Sequence, residues 1–192
     1  MEFVIAQGLG IVATLCFLFS FQVRTNRGLY LLQAAGCLAF AVQFLVLGAL
    51  GGCVSQLFII ARNMMLSMYN RWAWVRWKGW IPIFLAIAVF LTWQTWDGPV
   101  NLLPLIPMSA GTIALWTNNA GIIRLANMCV CSPAWIIYDI LVGAYSSIIN
   151  EVVVIGSVIL SIYRYGMKEL LDPESDFQKG GLKETKGREV NE

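Results

Sequence analysis

Seven apolar runs, each about as long as a bilayer is thick, occupy nearly all of the first 165 residues. A helix needs about 20 mostly apolar residues to cross the roughly 30 Å hydrocarbon core, and helices are favoured there because the backbone must satisfy its own polar groups. The runs extend from Phe3 to Gln22, Gly28 to Leu47, Gly51 to Tyr69, Trp80 to Trp96, Leu102 to Trp116, Ile122 to Tyr145 and Ser147 to Tyr165. An all-α membrane protein with seven transmembrane helices is expected. The third run is the least apolar, because it carries Gln56, Arg62 and Asn63.

Composition agrees. Only 12% of residues are charged, where soluble domains have about 25%. Mean hydropathy is +0.70. The 192 residues suffice for one helical bundle and a short tail, not for a separate soluble domain of ordinary size. The first run lacks a basic leader and a convincing cleavage site, so it reads as a retained helix. All five cysteines (Cys16, Cys37, Cys53, Cys129 and Cys131) lie in or beside apolar runs, where Cys behaves as a small hydrophobe, and no disulfide framework is expected. Cys129 and Cys131 lie about 200° apart around a helix and cannot share one ion. The absence of histidine excludes His-ligated metals, Ser-His-Asp triads and histidine proton relays.

Basic residues fall on one side of this layout: Arg24 and Arg27, then Arg71, Arg76 and Lys78, then Arg124, then Arg164 and Lys168. The opposite side holds Glu2, the turn near Gly51, Asp97 and the turn near Gly143, without Lys or Arg. The positive-inside rule then puts the N-terminus outside and the C-terminus in the cytoplasm. Trp72, Trp74, Trp77 and Trp80 at one face, with Trp93 and Trp96 at the other, form an aromatic belt. The polar stretch from Asp172 onward reads as a solvated tail.

A faint repeat links the two ends of the chain. Phe40 to Ala49 (FAVQFLVLGA) matches Trp135 to Ala144 (WIIYDILVGA) 95 residues further on, and Leu66 to Tyr69 (LSMY) echoes Leu160 to Tyr163 (LSIY). Three-span halves joined by one extra span keep the same orientation, which makes them 3+1+3 parallel repeats. The expected organisation is a first three-helix bundle over 1–70, a cytoplasmic loop and linker helix over 71–98, a second bundle over 99–168 and a flexible cytoplasmic tail over 169–192.

Polar residues inside these runs mark candidate sites. Asn127, Cys131, Trp135 and Tyr138 share one helical face, which serves either as a ligand-facing stripe or as a packing face with Asn127 bonded across it. Asp139 and Glu151 flank the turn near Gly143 at similar depth, ~9 Å below the surface at 1.5 Å per residue. Two carboxylates there are relieved by sharing a proton, by binding a cation or by a water-filled vestibule. Arg62, near mid-span, either reaches a carboxylate or extends toward the cytoplasm. Asn150 with Glu151, and Ser55 with Gln56 at the repeat-equivalent positions, are candidates for paired contacts between halves. Pro104 and Pro107 interrupt the fifth run, and Gly8 and Gly10 weaken the first, so Pro104, Pro107 and Gly10 are candidate hinges.

The stretches Ala6 to Ala13 (AQGLGIVA), Asn101 to Trp116 (NLLPLIPMSAGTIALW) and Trp135 to Glu151 (WIIYDILVGAYSSIINE) resemble the bacterial inner-membrane YgjV family. More distantly, the 3+1+3 layout is similar to the SWEET and PQ-loop transporters, in which two three-helix bundles enclose a midplane site. That second resemblance implies Pro107 as the proline of the second bundle, Trp135 as the site aromatic and Asn150 as the substrate-facing asparagine. The chain departs from it in having no Pro-Gln pair and no proline in the first run.

Residues and resemblance together predict a SWEET-like carrier of a small polar solute in the inner membrane, working by alternating access. Substrate contacts are expected from Trp135, Tyr138, Asn150, Asn127, Ser55 and Gln56. Ion or proton coupling is expected from Glu151, Asp139 and Arg62. The alternative is a non-transporting assembly partner or sensor whose buried polar residues hold helices together. No nucleophile–base pair, metal-ligand set, cofactor motif or nucleic-acid surface is legible, so neither an enzyme nor a cofactor protein is expected. The expected partners are the lipid bilayer and a small solute, with homo-oligomerisation left open.

Overall fold

The computed structural model describes residues 1–20, 26–68, 72–117 and 119–165. Among them every regular element is helical. The elements are α1 (Glu2–Ser20), α2 (Asn26–Val46), α3 (Leu50–Leu66), α4 (Trp80–Gln94), α5 (Leu105–Trp116), α6 (Ala120–Ala126), α7 (Ser132–Val142) and α8 (Tyr145–Tyr165). A π-helical turn, Asn127–Cys131, joins α6 to α7, so the sixth apolar run is one continuous helix. Short 3-10 turns, Ala73–Arg76 and Pro99–Leu102, precede α4 and α5. The expected tail over 169–192 lies outside the described residues.

Three stretches are long and apolar enough to cross a membrane: Glu2–Phe19, Pro99–Trp116 and Gly121–Val142. Four shorter apolar helices, Leu32–Val46, Leu50–Leu66, Trp80–Gln94 and Tyr145–Leu160, accompany them. Large apolar side chains cover the outside of the bundle, among them Ile11, Leu38, Val89, Phe90, Ile137 and Val152. Such an exterior suits lipid, whereas the interior carries Gln43, Arg62, Thr112 and Asp139.

α2 packs against both α1 and α3, and the continuous α6–α7 helix packs against both α5 and α8. Between these halves α1 meets α8 and α3 meets α5, while α4 lies against α3 and α5. One core cluster joins Ala13, Phe40 and Phe44 to Trp135, Tyr138 and Ala144. A second joins Phe58 and Leu66 to Phe84, Ala88, Met108 and Trp116.

Local chemistry explains several helix ends. Asn119 caps α6, its side chain accepting from the Gly121 and Ile122 amides. Gly48 and Gly143 take left-handed φ of 72° and 75°, a region costly for any residue with a Cβ. The turn hydrogen bonds match as well: Gly48 to Leu45 and Ala49 to Phe44 in one half, Gly143 to Ile140 and Ala144 to Asp139 in the other. Both are Schellman closures, 95 residues apart.

The prolines correct an expectation. Pro104 directly precedes α5 and Pro107 lies in its first turn. There a missing N–H removes no intrahelical bond, so both residues begin the helix and do not interrupt it. Gly10, expected as a weak point, is a point of close approach, because a Cβ there would overlap Gln43 and Ser146, whereas one at Gly8 would meet nothing. Thus Gly10→Ala should lower stability by about 1–3 kcal/mol through overpacking, and Gly8→Ala should be neutral or stabilising by up to about 1 kcal/mol. Thermal unfolding of the two variants in detergent checks this, and equal effects would remove the distinction.

Candidate functional site

The residues that lie between the N-terminal and C-terminal helices fall into three groups, the first beside the Gly48 and Gly143 turns. In the first group, α3 and α8 both start directly after an alanine, Ala49 and Ala144, which offers no capping side chain. Their first-turn N–H groups find acceptors elsewhere in the bundle. The Gly52 amide donates to the Tyr138 hydroxyl at 2.7 Å, and the Ser146 amide donates to Gln7 Oε1 at 2.8 Å. Gln7 Nε2 in turn donates to the Gly143 carbonyl at 2.8 Å. Fully buried Gln43 donates through Nε2 to Ser146 Oγ at 2.9 Å and accepts from Ser147 Oγ at 3.1 Å.

Aromatic rings form the second group. Phe44 of α2 stacks on Trp135 with ring centroids 6.0 Å apart, and meets Tyr138 edge-on at 5.7 Å. Trp135 and Tyr138 also contact each other, at 5.8 Å. Gly52 lies so close to Phe44 and Tyr138 that any side chain there would displace them.

The third group holds the ionisable residues, spread from Asp139 one turn from Gly143 to Arg62 one turn from the end of α3. Asp139 is buried, 1% exposed, and its Oδ1 has no hydrogen-bond partner. Half-buried Glu151 on α8 accepts from Asn150 Nδ2 at 3.2 Å and from the Ser132 hydroxyl. Arg62 is buried, 6% exposed, and donates through Nη1 to Thr112 Oγ1 at 3.2 Å and to the Met108 carbonyl at 3.4 Å. Its guanidinium lies 6.0 Å from the Phe58 ring, and Gly111 leaves the room it occupies. Arg62 Nε has no partner, and among the described residues no carboxylate pairs with it. Cys37 on α2 and Cys131 in the π turn are buried, and the Cys131 thiol faces the Pro107 carbonyl at 3.9 Å.

Several expectations need adjusting against this geometry. Arg62 turns inward onto α5 and does not extend toward an aqueous face. The aromatic stripe holds for Cys131, Trp135 and Tyr138, all buried, but Asn127 is only half-buried and lies at the start of the π turn. That turn takes in one more residue than an α-turn, so the face slips out of phase there. Ser55 and Gln56 are buried, yet Ser55 bonds the Gly51 carbonyl of its own helix at 2.7 Å, and Asn150 bonds its neighbour Glu151. Polar contacts between the halves occur one turn earlier, at Gly52 through its amide and at Ser147 through its hydroxyl. Gln7, Gln43, Phe44, Ser146 and Ser147 were not singled out in the sequence. A signal for Gln43 existed, since the 95-residue repeat sets it opposite Tyr138.

An apolar exterior around a buried, incompletely partnered polar interior defines an integral, all-helical membrane protein. The chain belongs to the Imp-YgjV family, described as bacterial inner membrane protein, whose family model matches residues 4–169. No curated protein and no solved structure matches it.

The Arg62 contact yields a direct test. Thr112→Val removes the buried hydroxyl that accepts from Arg62 and should cost about 1–3 kcal/mol. Thr117→Val, at an exposed position after α5, should stay within about 0.5 kcal/mol of the native chain. Chemical or thermal unfolding in detergent measures both, and equal losses would deny Thr112 its role.

Proposed function

We propose that the chain crosses the membrane seven times, with its N-terminus outside and C-terminus in the cytoplasm, and moves a small polar solute between two three-helix halves by alternating access. One observation carries the reading: Asp139 Oδ1 on α7 and Arg62 Nε on α3 are buried in the bundle without hydrogen-bond partners. Ionisable groups inside a bilayer are costly, and incomplete pairing leaves them free to engage a solute or a proton. Glu151 and Asp139 are the coupling groups of this mechanism, and Asn150, Trp135 and Tyr138 line the solute path.

The packing pattern supports the repeat on which rocking depends. Exchanging the halves turns the α1–α8 contact into the α5–α3 contact, as a pseudo-twofold axis along the membrane normal would. The Gly48 and Gly143 closures obey the same exchange. The arrangement resembles the SWEET and PQ-loop carriers in layout, with α4 as the linker. It takes no cofactor and performs no bond chemistry.

A second reading, a non-transporting assembly partner, draws on the Thr112, Met108 and Phe58 contacts that already hold Arg62 in place. The two readings differ in what Glu151 does. A thermal-shift panel of sugars, amino acids, vitamins, nucleosides and organic cations against the native chain, Asn150→Ala and Glu151→Gln separates them. For a carrier, one compound class stabilises the native protein, by about 2.7 kcal/mol at a hundredfold excess over Kd, and neither variant responds. If nothing binds and both variants lose stability in the absence of ligand, the polar cluster is structural.

A further inference from the structure

The geometry points to Gln43 and Tyr138 as a symmetric latch that holds one end of the solute path shut. The two residues stand 95 positions apart, the shift of the internal repeat, and so do their partners, Gly52 and Ser147. Each side chain starts from the middle helix of one half and ends on the first turn of the third helix of the other half: Gln43 of α2 on Ser147 of α8, Tyr138 of α7 on Gly52 of α3. Two bonds exchanged by the repeat in this way tie the halves together at two symmetric points.

Their position makes them a latch and more than packing. Both lie beside the Gly48 and Gly143 turns, at one end of the bundle. Phe44 fills the space between them, stacked on Trp135 and edge-on to Tyr138. The thiols of Cys37 and Cys131 lie deeper, about two turns further along their helices than Gln43 and Tyr138. No covalent link or ion pair joins the halves at this level among the described residues, so separation breaks the two latch bonds, the three further bonds of Gln7 and Gln43 to Gly143 and Ser146, and the ring contacts of Phe44 and Phe3. Contacts of that size suit a device that opens and closes, whereas a buried ion pair would not release readily. Gly10 and Gly52 let the latch close, because a Cβ at Gly10 would overlap Gln43 and one at Gly52 would overlap Tyr138. The structure is thus the state closed at this end, which is the outer end under the topology proposed above.

The latch rests on the transport reading for its purpose, but its test needs no solute. Cys16, Cys53 and Cys129 are replaced by Ala, leaving Cys37 and Cys131, both buried, as reporters. Asp97→Cys in a parallel protein marks the face that bears the Gly48 and Gly143 turns. A membrane-impermeant methanethiosulfonate is then applied to sealed vesicles of each orientation. The native reporter protein should react slowly from the turn-bearing face. Ser147→Ala and Tyr138→Phe, each removing one bond with little change of shape, should raise that rate about tenfold, the order expected for one buried hydrogen bond in the closed state. Together they should raise it about a hundredfold if the two bonds act independently. The rate from the opposite face should not rise.

Fast labelling of the native reporter protein from the turn-bearing face, no increase in either variant, or an equal increase from both faces would each overturn the latch. Loss of folded protein in one variant leaves its repeat-related counterpart to decide. Loss in both assigns the contacts to structural capping and overturns the proposal. An opened end without any solute bound in the panel would sink the transport reading and leave the latch standing.

Discussion

A helix needs acceptors for its first amides, and α3 and α8 both start after an alanine with first-turn residues, Gly52 and Ser146, buried among neighbouring helices. The first residues of these helices have no capping side chain of their own. Gln7 and Tyr138 supply the missing acceptors, and Gln43 joins the hydroxyls of Ser146 and Ser147. In lipid each unsatisfied backbone group costs several kcal/mol, so these contacts decide where the first helix, the two middle helices and the two third helices stand relative to one another. The close approach at Gly10, the left-handed turns at Gly48 and Gly143 and the seat of Phe44 follow from that requirement.

The ionisable groups obey a different rule. Arg62 lies one turn from the end of α3, buried, and is held by neutral oxygens from α5 and by the Phe58 ring, without a carboxylate among the described residues. Asp139 retains a bare oxygen, and Glu151 has only neighbouring neutral donors. A bundle built purely for stability would place opposite charges together or omit them, because a half-satisfied polar network is worse than an apolar core. Here they stand apart on different helices, Arg62 on α3, Asp139 on α7 and Glu151 on α8.

Much of the fold was legible in the order of residues. Hydrophobic length alone fixes the seven runs, since a bilayer demands helices of a set size and the chain has no other way to hide so much apolar surface. The glycine-alanine pairs at 48–49 and 143–144 marked two turns of the same shape, because glycine takes the left-handed φ of 72° and 75° without the cost of a Cβ. The site was less legible. Ser55, Gln56 and Asn150 are buried as their positions suggested, but hydrogen-bond direction cannot be read from spacing, and these side chains bond locally. The slip at Asn127 escaped because a π turn leaves no mark in a 3.6-residue pattern. Pro104 and Pro107 were misplaced by a few residues, enough to turn the start of a helix into an apparent break.

By itself, then, the sequence determined a helical membrane protein, the number and approximate ends of its helices and a correspondence between its two ends, all of which follow from local composition and period. Only the tertiary structure decided which of its many polar residues meet. Gln43 and Ser147, or Tyr138 and Gly52, are separated by some hundred or so positions in the chain and come together because helix packing brings a donor within 3.1 Å or less of its acceptor. Such pairings depend on the rotation and depth of whole helices, quantities fixed by the sum of all contacts and not by any one segment.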